Sequence, residues 1–311
     1  MLNDTRVFPS IPTAPTGQSL ISHAGLGTVA SFLDATGFGA LAEEQFARFV
    51  PEQATHRPGR ILGCLSTMLA GGGEHVSDLD VLRDSPELFG PAPSNATVSR
   101  FVERAAEAPA AFEDGFTALM RSMRSRIWAA AGERNPAALA TAADPLTIDI
   151  DATLVTTHSE KELSAGTFKG GYGLAPMIVS IDYGLGYGTG EILAALLRGG
   201  NRTANSAADH IRALDLALAQ LPEDFLDEDG NLIGEKILIR TDSAGSSREF
   251  LNHLHSKGIQ FSTSYALPVI NERFIHWIND KTLWERVIEQ DGYERRNAWV
   301  IDATKVIPAI S

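Results

Sequence analysis

Three aspartates carry the chemistry most legible in this sequence. Asp149 and Asp151 stand two residues apart in LTIDID (146–151), and Asp242 follows the apolar run Ile237-Leu238-Ile239 within RTDSAG (240–245). On a strand, side chains two residues apart share a face. Carboxylates at the ends of rigid strands are what hard divalent cations such as Mg²⁺ or Mn²⁺ require. Two such ions roughly 3.5–4 Å apart can activate an attacking oxygen and stabilise a leaving one in phosphodiester cleavage. Each aspartate also has an ordinary role open to it: Asp242 as the cap of a following helix, Asp149 as a solvent-facing residue at a sheet edge.

Other polar groups offer DNA contacts. Arg198, Asn201, Arg202 and Asn205 cluster in LRGGNRTAN (197–205). They suit phosphate or base contact, and equally loop chemistry with an N-cap. Lys161 and Lys169, close after the first aspartates, suit the DNA backbone or plain solvation. Asp78–Ala106 has the pattern of a helix-turn-helix, with Thr97–Arg104 as the helix for the major groove. Arg100 and Arg104 share a face of it, available to DNA or to Glu103 and Glu107 in a bundle. His158 and His210 are read as hydrogen-bonded structural residues. No histidine–cysteine grouping suggests zinc, and Gly170-Gly171-Tyr172-Gly173 lacks the context of a nucleotide-binding loop.

The elements that must position these residues change character near residue 143. Residues 22–131 show apolar spacing near 3.6, predicting helices over Gly27–Thr36, Leu41–Phe49, Pro58–Ala70, Asp78–Arg83, Ala96–Ala106 and Ala110–Ala131. Ser94 or Asn95 is placed to cap the fifth, and Pro109 suits the first turn of the last. Residues 1–20 form a Pro/Thr/Ser-rich arm, and Gly132–Asp144 a small-residue linker. Beyond it, strands are predicted at Leu146–Asp151, Met177–Asp182, Glu191–Leu197, Lys236–Thr241 and Ile259–Ser264, with a loop over Tyr183–Gly190 and helices at Ala204–Leu221 and Ser246–Lys257. The order β-β-β-α-β-α-β is that of an RNase H-like mixed sheet with flanking helices. A short helix around Asn271–Ile278 and strand-like pieces at Thr282–Glu289 and Trp299–Val306 follow. Three segments result: an all-α, DNA-binding domain (1–143), an RNase H-like α/β core (144–267), and a strand-bearing segment (268–311).

The bulk composition neither suggests nor requires a DNA enzyme. The 311 residues carry 26 basic and 39 acidic side chains, a net charge of −13 that repels DNA at long range, so any contact must come from local clusters. The first lysine is Lys161. A single cysteine excludes an internal disulfide and fits a reducing cytosol. No run of apolar residues is long enough to span a membrane, and no secretory signal opens the chain.

In order along the chain, IDIDATLV (148–155), HSEKE (158–162), TFKGGYG (167–173), GTGE (188–191), LRGGNRTAN (197–205), AADHI (207–211) and RTDSAG (240–245) resemble the IS1380 group of insertion-sequence transposases, within the IS4-like DDE class. LRDSPELFGPAPSNATVSRFVE (82–103) extends the resemblance into the helical segment. It implies Mg²⁺- or Mn²⁺-dependent DNA cleavage and strand transfer, acting on terminal inverted repeats and target DNA. It also implies a homodimer in a synaptic assembly and a cytoplasmic, nucleoid-associated location. In that class the first aspartate is followed by a small residue and Thr or Ser. That points to Asp151-Ala152-Thr153, with Asp149 as the alternative, and makes Asp242 the second ligand. Relatives carry the third, a glutamate, on a helix beyond a β-rich insertion, whose start the resemblance places at 268–311. Tyr293 and Arg296 match the start of the class marker Tyr-x-x-Arg-x-x-x-Glu, but Val300 occupies the Glu position in a strand-like context, so the match is coincidental. The chain is therefore expected to stop before the catalytic glutamate and to be inactive alone. It would then be an end-binding protein or regulator, unless a substitute such as Glu272 serves.

Overall fold

The structure, a computed structural model, describes residues 8, 23–157, 161–184, 190–264, 279–280, 283–289 and 292–302. The predicted helix at 271–278, with Glu272, lies outside these residues. So do His158, residues 185–189 of the glycine-rich loop, the strand end at 303–306 and all of the N-terminal arm but Phe8. Met1–Thr263 forms one compact unit and Ser264–Ser311 a second.

The first unit opens with helices α1 (Leu26–Ala35), α2 (Phe38–Phe46), α3 (Pro58–Ala70), α4 (Asp80–Arg83), α5 (Pro86–Phe89), α6 (Asn95–Glu107), α7 (Pro109–Ala130) and α8 (Pro136–Leu139). Pro58, Pro109 and Pro136 each sit in a first turn, where a missing N–H costs nothing. Ser94 caps α6, accepting from the Thr97 N–H at 3.2 Å. On α3 the spacing of Ile61, Cys64 and Met68 builds a buried face. Burial pushes the Cys64 thiol up to about 11, so it behaves as a small hydrophobe. Helices α2 and α3 cross closely enough that a Cβ on Gly59 would meet the Gly39 backbone at 2.7 Å. Phe46, Phe49, Phe101 and Phe112 interlock with ring centroids 5.0–6.3 Å apart. Each fully buried ring contributes about 1.5–3 kcal/mol.

The chain then enters a five-stranded sheet. β1 (Leu146–Ala152) is followed by the short strands β2 (Val155–Thr156), β3 (Ala165–Gly166) and β4 (Tyr172–Leu174). β5 (Met177–Asp182), β6 (Glu191–Leu196), α9 (Ala207–Leu218), β7 (Ile237–Thr241), α10 (Arg248–Ser256) and β8 (Gln260–Thr263) complete the unit. The order is β6-β5-β1-β7-β8. The β1–β5 and β5–β6 pairs are antiparallel, and the β1–β7 and β7–β8 pairs parallel. This is the RNase H-like mixed sheet. Loops join the antiparallel strands and helices make the parallel crossovers. β2, β4 and β3 form a separate small sheet with β4 central.

Alternation along β1, β5 and β7 gives the large sheet its two faces. Leu146, Ile148 and Ile150 on β1, Met177, Val179 and Ile181 on β5, and Ile237 and Ile239 on β7 are buried with Ala213, Leu214 and Ala217 of α9 and Phe250, Leu251 and Leu254 of α10. A second apolar cluster gathers the helices from α1 to α7. Leu119 and Met123 of α7 belong to the helical cluster and Trp128 to the sheet cluster, while Ile127 packs against both. The change of character near residue 143 is thus a change of core, with α7 continuous across it. The Gly132–Asp144 linker is more ordered than its composition suggests, since it holds α8 and buries Ala137 and Ala140.

The second unit contains the antiparallel pair β9 (Glu285–Ile288) and β10 (Glu294–Val300), in which the Arg286 guanidinium stacks 4.3 Å from the Trp299 ring. Arg296 lies on β10, a strand and not the helix of the class marker.

Candidate active site

Parallel pairing aligns Asp149 with Arg240 and Ile150 with Thr241. Asp151 is the next residue on β1, and Asp242 is the first residue beyond β7. Neighbouring strands lie about 4.8 Å apart, so the two carboxylates are within reach of one cation. Both are exposed, at the C-terminal ends of central parallel strands. Asp151 shares a face with Asp149, opposite the buried Ile148 and Ile150.

Asp242 is held by its own loop. Its Oδ1 accepts from the Ala244 N–H at 2.8 Å, capping the 3₁₀ turn Ser243–Gly245. Its carbonyl accepts from the Thr263 hydroxyl at 2.9 Å. The turn folds back on Thr241 so tightly that a Cβ on Gly245 would sit 2.4 Å from Thr241 Oγ1. Ser247, not Asp242, caps α10. The cap expected of Asp242 therefore exists on the shorter turn, fixes the rotamer, and leaves Oδ2 available.

Asp149 has a different environment. Arg240 Nε donates to its Oδ1 at 2.6 Å and Nη2 to its Oδ2 at 2.7 Å, while Nη2 also donates to Asp182 Oδ2 at 2.7 Å. These hydrogen bonds hold the Arg240 guanidinium protonated well above its ordinary value. The Gly184 N–H, and then Arg240, hold the Asp182 carboxyl below its usual range. Asp149 thus lies one pleat from Asp151 with both oxygens engaged. Arg240 escapes a sequence search for ligands, although its place two residues before Asp242, with Asp149 two before Asp151, is the available signal.

The polar cluster divides. Arg198 is 4% exposed, and its guanidinium donates to the carbonyls of Ala175 (2.9 Å) and Thr203 (3.1 Å) and to Asp209 Oδ2 (2.9 Å). It is a strut, with no face to offer DNA in this conformation. Asn201, Arg202 and Asn205 are exposed, and the N-cap of α9 is Ser206. Gly199 bridges to Leu174, and a Cβ on Gly200 would lie 2.2 Å from the Gly173 carbonyl, so the glycine pair seats this loop on the small sheet. Lys169 projects from the turn that joins β3 to β4, its ammonium 5.6 Å from the exposed Phe168 ring. Lys161 is exposed. On α6, Arg100 is exposed and Arg104 half-buried. Both line a surface cavity of about 520 Å³ with His56, Ser94 and Thr97, and neither forms an ion pair with Glu103 or Glu107.

Among the described residues no three His, Cys, Asp or Glu side chains group as a metal site, and no helix is long and apolar enough to cross a membrane. Residues 7–284 match the family of transposase DDE domains, group 1. The chain belongs to the DDE transposase family. No curated protein matches it. Catalysis in DDE transposases generally depends on a divalent metal. The donor set suits one, because two hard carboxylates completed by water and phosphate oxygens are a common Mg²⁺ environment. Family membership also implies DNA as the partner of this transposase.

Proposed function

We propose that this DDE transposase is of the IS1380 type and that Asp151 and Asp242 are its first two metal ligands. It would cut and transfer DNA at the terminal inverted repeats of an insertion sequence. The observation that carries the assignment is the register of β1 and β7, which pairs Ile150 with Thr241, the residues just before Asp151 and Asp242, while Asp149 is engaged by Arg240. A divalent cation bound there, Mg²⁺ or Mn²⁺, would supply Lewis acidity to a phosphate oxygen and lower the pKa of the attacking water or hydroxyl. The chain's own part is positional. The cap on Ala244 aims Asp242, the strand end aims Asp151, and the rigid sheet fixes their separation. Exposed Lys169, Asn201, Arg202 and Asn205 are assigned to the phosphate backbone near the cut, and Arg100 and Arg104 to DNA at the helical segment.

A second reading is binding of transposon ends without cleavage, in keeping with Val300 standing on strand β10 where the class marker has its glutamate. The test is incubation of the purified chain with labelled duplex carrying the inverted repeats, in Mg²⁺ and in Mn²⁺. Cleavage lost in Asp151→Asn and Asp242→Asn supports the first reading. Specific retention of the duplex without cleavage supports the second, and failure to bind or cut refutes both.

A further inference from the structure

Arg240, Asp149 and Asp182 lie on three adjacent strands, on the face of the sheet opposite the buried isoleucines. Arg240 stands two residues before Asp242, and Asp149 two before Asp151. The ion cluster is therefore one pleat, about 7 Å, beneath the carboxylate pair and on the same face. Its side chains are 50%, 33% and 40% exposed. Pairs that open to water stabilise a fold little, so folding alone gives weak reason for a two-pronged grip across β5, β1 and β7. The geometry also settles a competition. Without Arg240, Asp149 would be a free carboxylate beside Asp151, able to draw a cation one pleat away from Asp242.

We propose that Arg240 is a positioning residue. By gripping Asp149 and Asp182 it fixes the β1–β7 register that spaces Asp151 and Asp242, and it excludes Asp149 from metal coordination. This rests on the assignment of Asp151 and Asp242 as metal ligands.

Charge and geometry predict different outcomes. The Arg240→Lys variant keeps the charge and loses the planar fork. The double variant Asp149→Asn/Arg240→Gln removes one charge of each sign and leaves no substitute carboxylate. If Arg240 acted only through its charge, Mn²⁺ affinity would be unchanged in both. If it positions the pair, the double variant binds Mn²⁺ roughly tenfold more weakly, the cost typical of losing a group that orients a ligand, while in Arg240→Lys the released Asp149 offsets part of that loss.

The experiment is a Mn²⁺ titration of the full chain followed by electron paramagnetic resonance, with circular dichroism melting to verify folding. Weakened binding in the folded double variant, with a smaller loss in Arg240→Lys, is the expected result. Unchanged or tighter binding in the folded double variant, where no substitute carboxylate remains, overturns the inference alone; should that variant not fold, Asp149→Asn/Arg240→Met, which removes the same two charges, decides in its place. Wild-type protein that binds no Mn²⁺, or binds it equally well after Asp151→Asn, overturns the ligand assignment and the positioning role with it.

Discussion

His210 is 3% exposed, its Nδ1 lies 2.9 Å from the Ser206 carbonyl, and its ring packs on Phe250 at 5.1 Å. Burial is the largest cause of its lowered pKa; the Ser206 contact acts in the opposite direction, and Arg198 adds to the lowering. The folded state therefore resists a proton that the unfolded chain accepts near 6.5. Between the lowered folded value and 6.5 the unfolded state binds more protons, so stability falls as the pH drops through that window. Denaturant midpoints measured on either side of it should decline toward acid, and His210→Gln should flatten the slope. An unchanged slope in that variant would place the titration elsewhere. The structural role of His210 was legible from residue type alone. The resemblance already preferred Asp151 to Asp149, but the ion cluster around Asp149 was not legible, because it depends on Arg240, 91 residues away from Asp149 and brought opposite it by the β1–β7 register.

Strands and helices of ordinary length were legible because burial repeats along them. Met177–Asp182 and Pro58–Ala70 were predicted to the residue, and the other strands of the large sheet to within one or two. The small sheet was missed for a physical reason. Strands of two or three residues complete no period, and they are ordered by what they dock on. Arg198 is that anchor: it ties Ala175 at the end of β4 to Asp209 on α9, while its own carbonyl accepts the Ala175 N–H at 3.1 Å. Sequence alone left it between DNA contact and loop chemistry, since burial of an arginine cannot be read from its neighbours. Arg198→Met should cost about 3–5 kcal/mol, because it strands a largely buried Asp209 carboxylate. Arg198→Met combined with Asp209→Leu should recover much of the loss. Equilibrium unfolding of both variants checks this. A loss below about 1 kcal/mol in the single variant would mean that the pair behaves as an exposed one.

At the scale of the molecule, a net charge of −13 has to be reconciled with a polyanionic partner. Long-range attraction is absent, so association must rely on short-range clusters and slow as salt is lowered further than those clusters can offset. The arginines of α6 are the clearest such cluster, since Arg100 and Arg104 share a face and engage no carboxylate there. Each phosphate neutralised releases condensed counterions, and the salt dependence of affinity counts them, at about 0.9 per contact on duplex DNA. If α6 lies against the backbone, Arg100→Ala and Arg104→Ala should each reduce the slope of log affinity against log salt by about one, nearly equally for specific and unrelated duplexes. If instead one of them reads a guanine, its loss should cost about 1–3 kcal/mol at one base position of the repeat and leave unrelated DNA little changed. Fluorescence anisotropy over a salt series, with the inverted repeat and a scrambled duplex, separates the two. A slope unchanged in both variants would move the DNA path off α6 and toward the exposed Lys169, Asn201 and Arg202 at the small sheet.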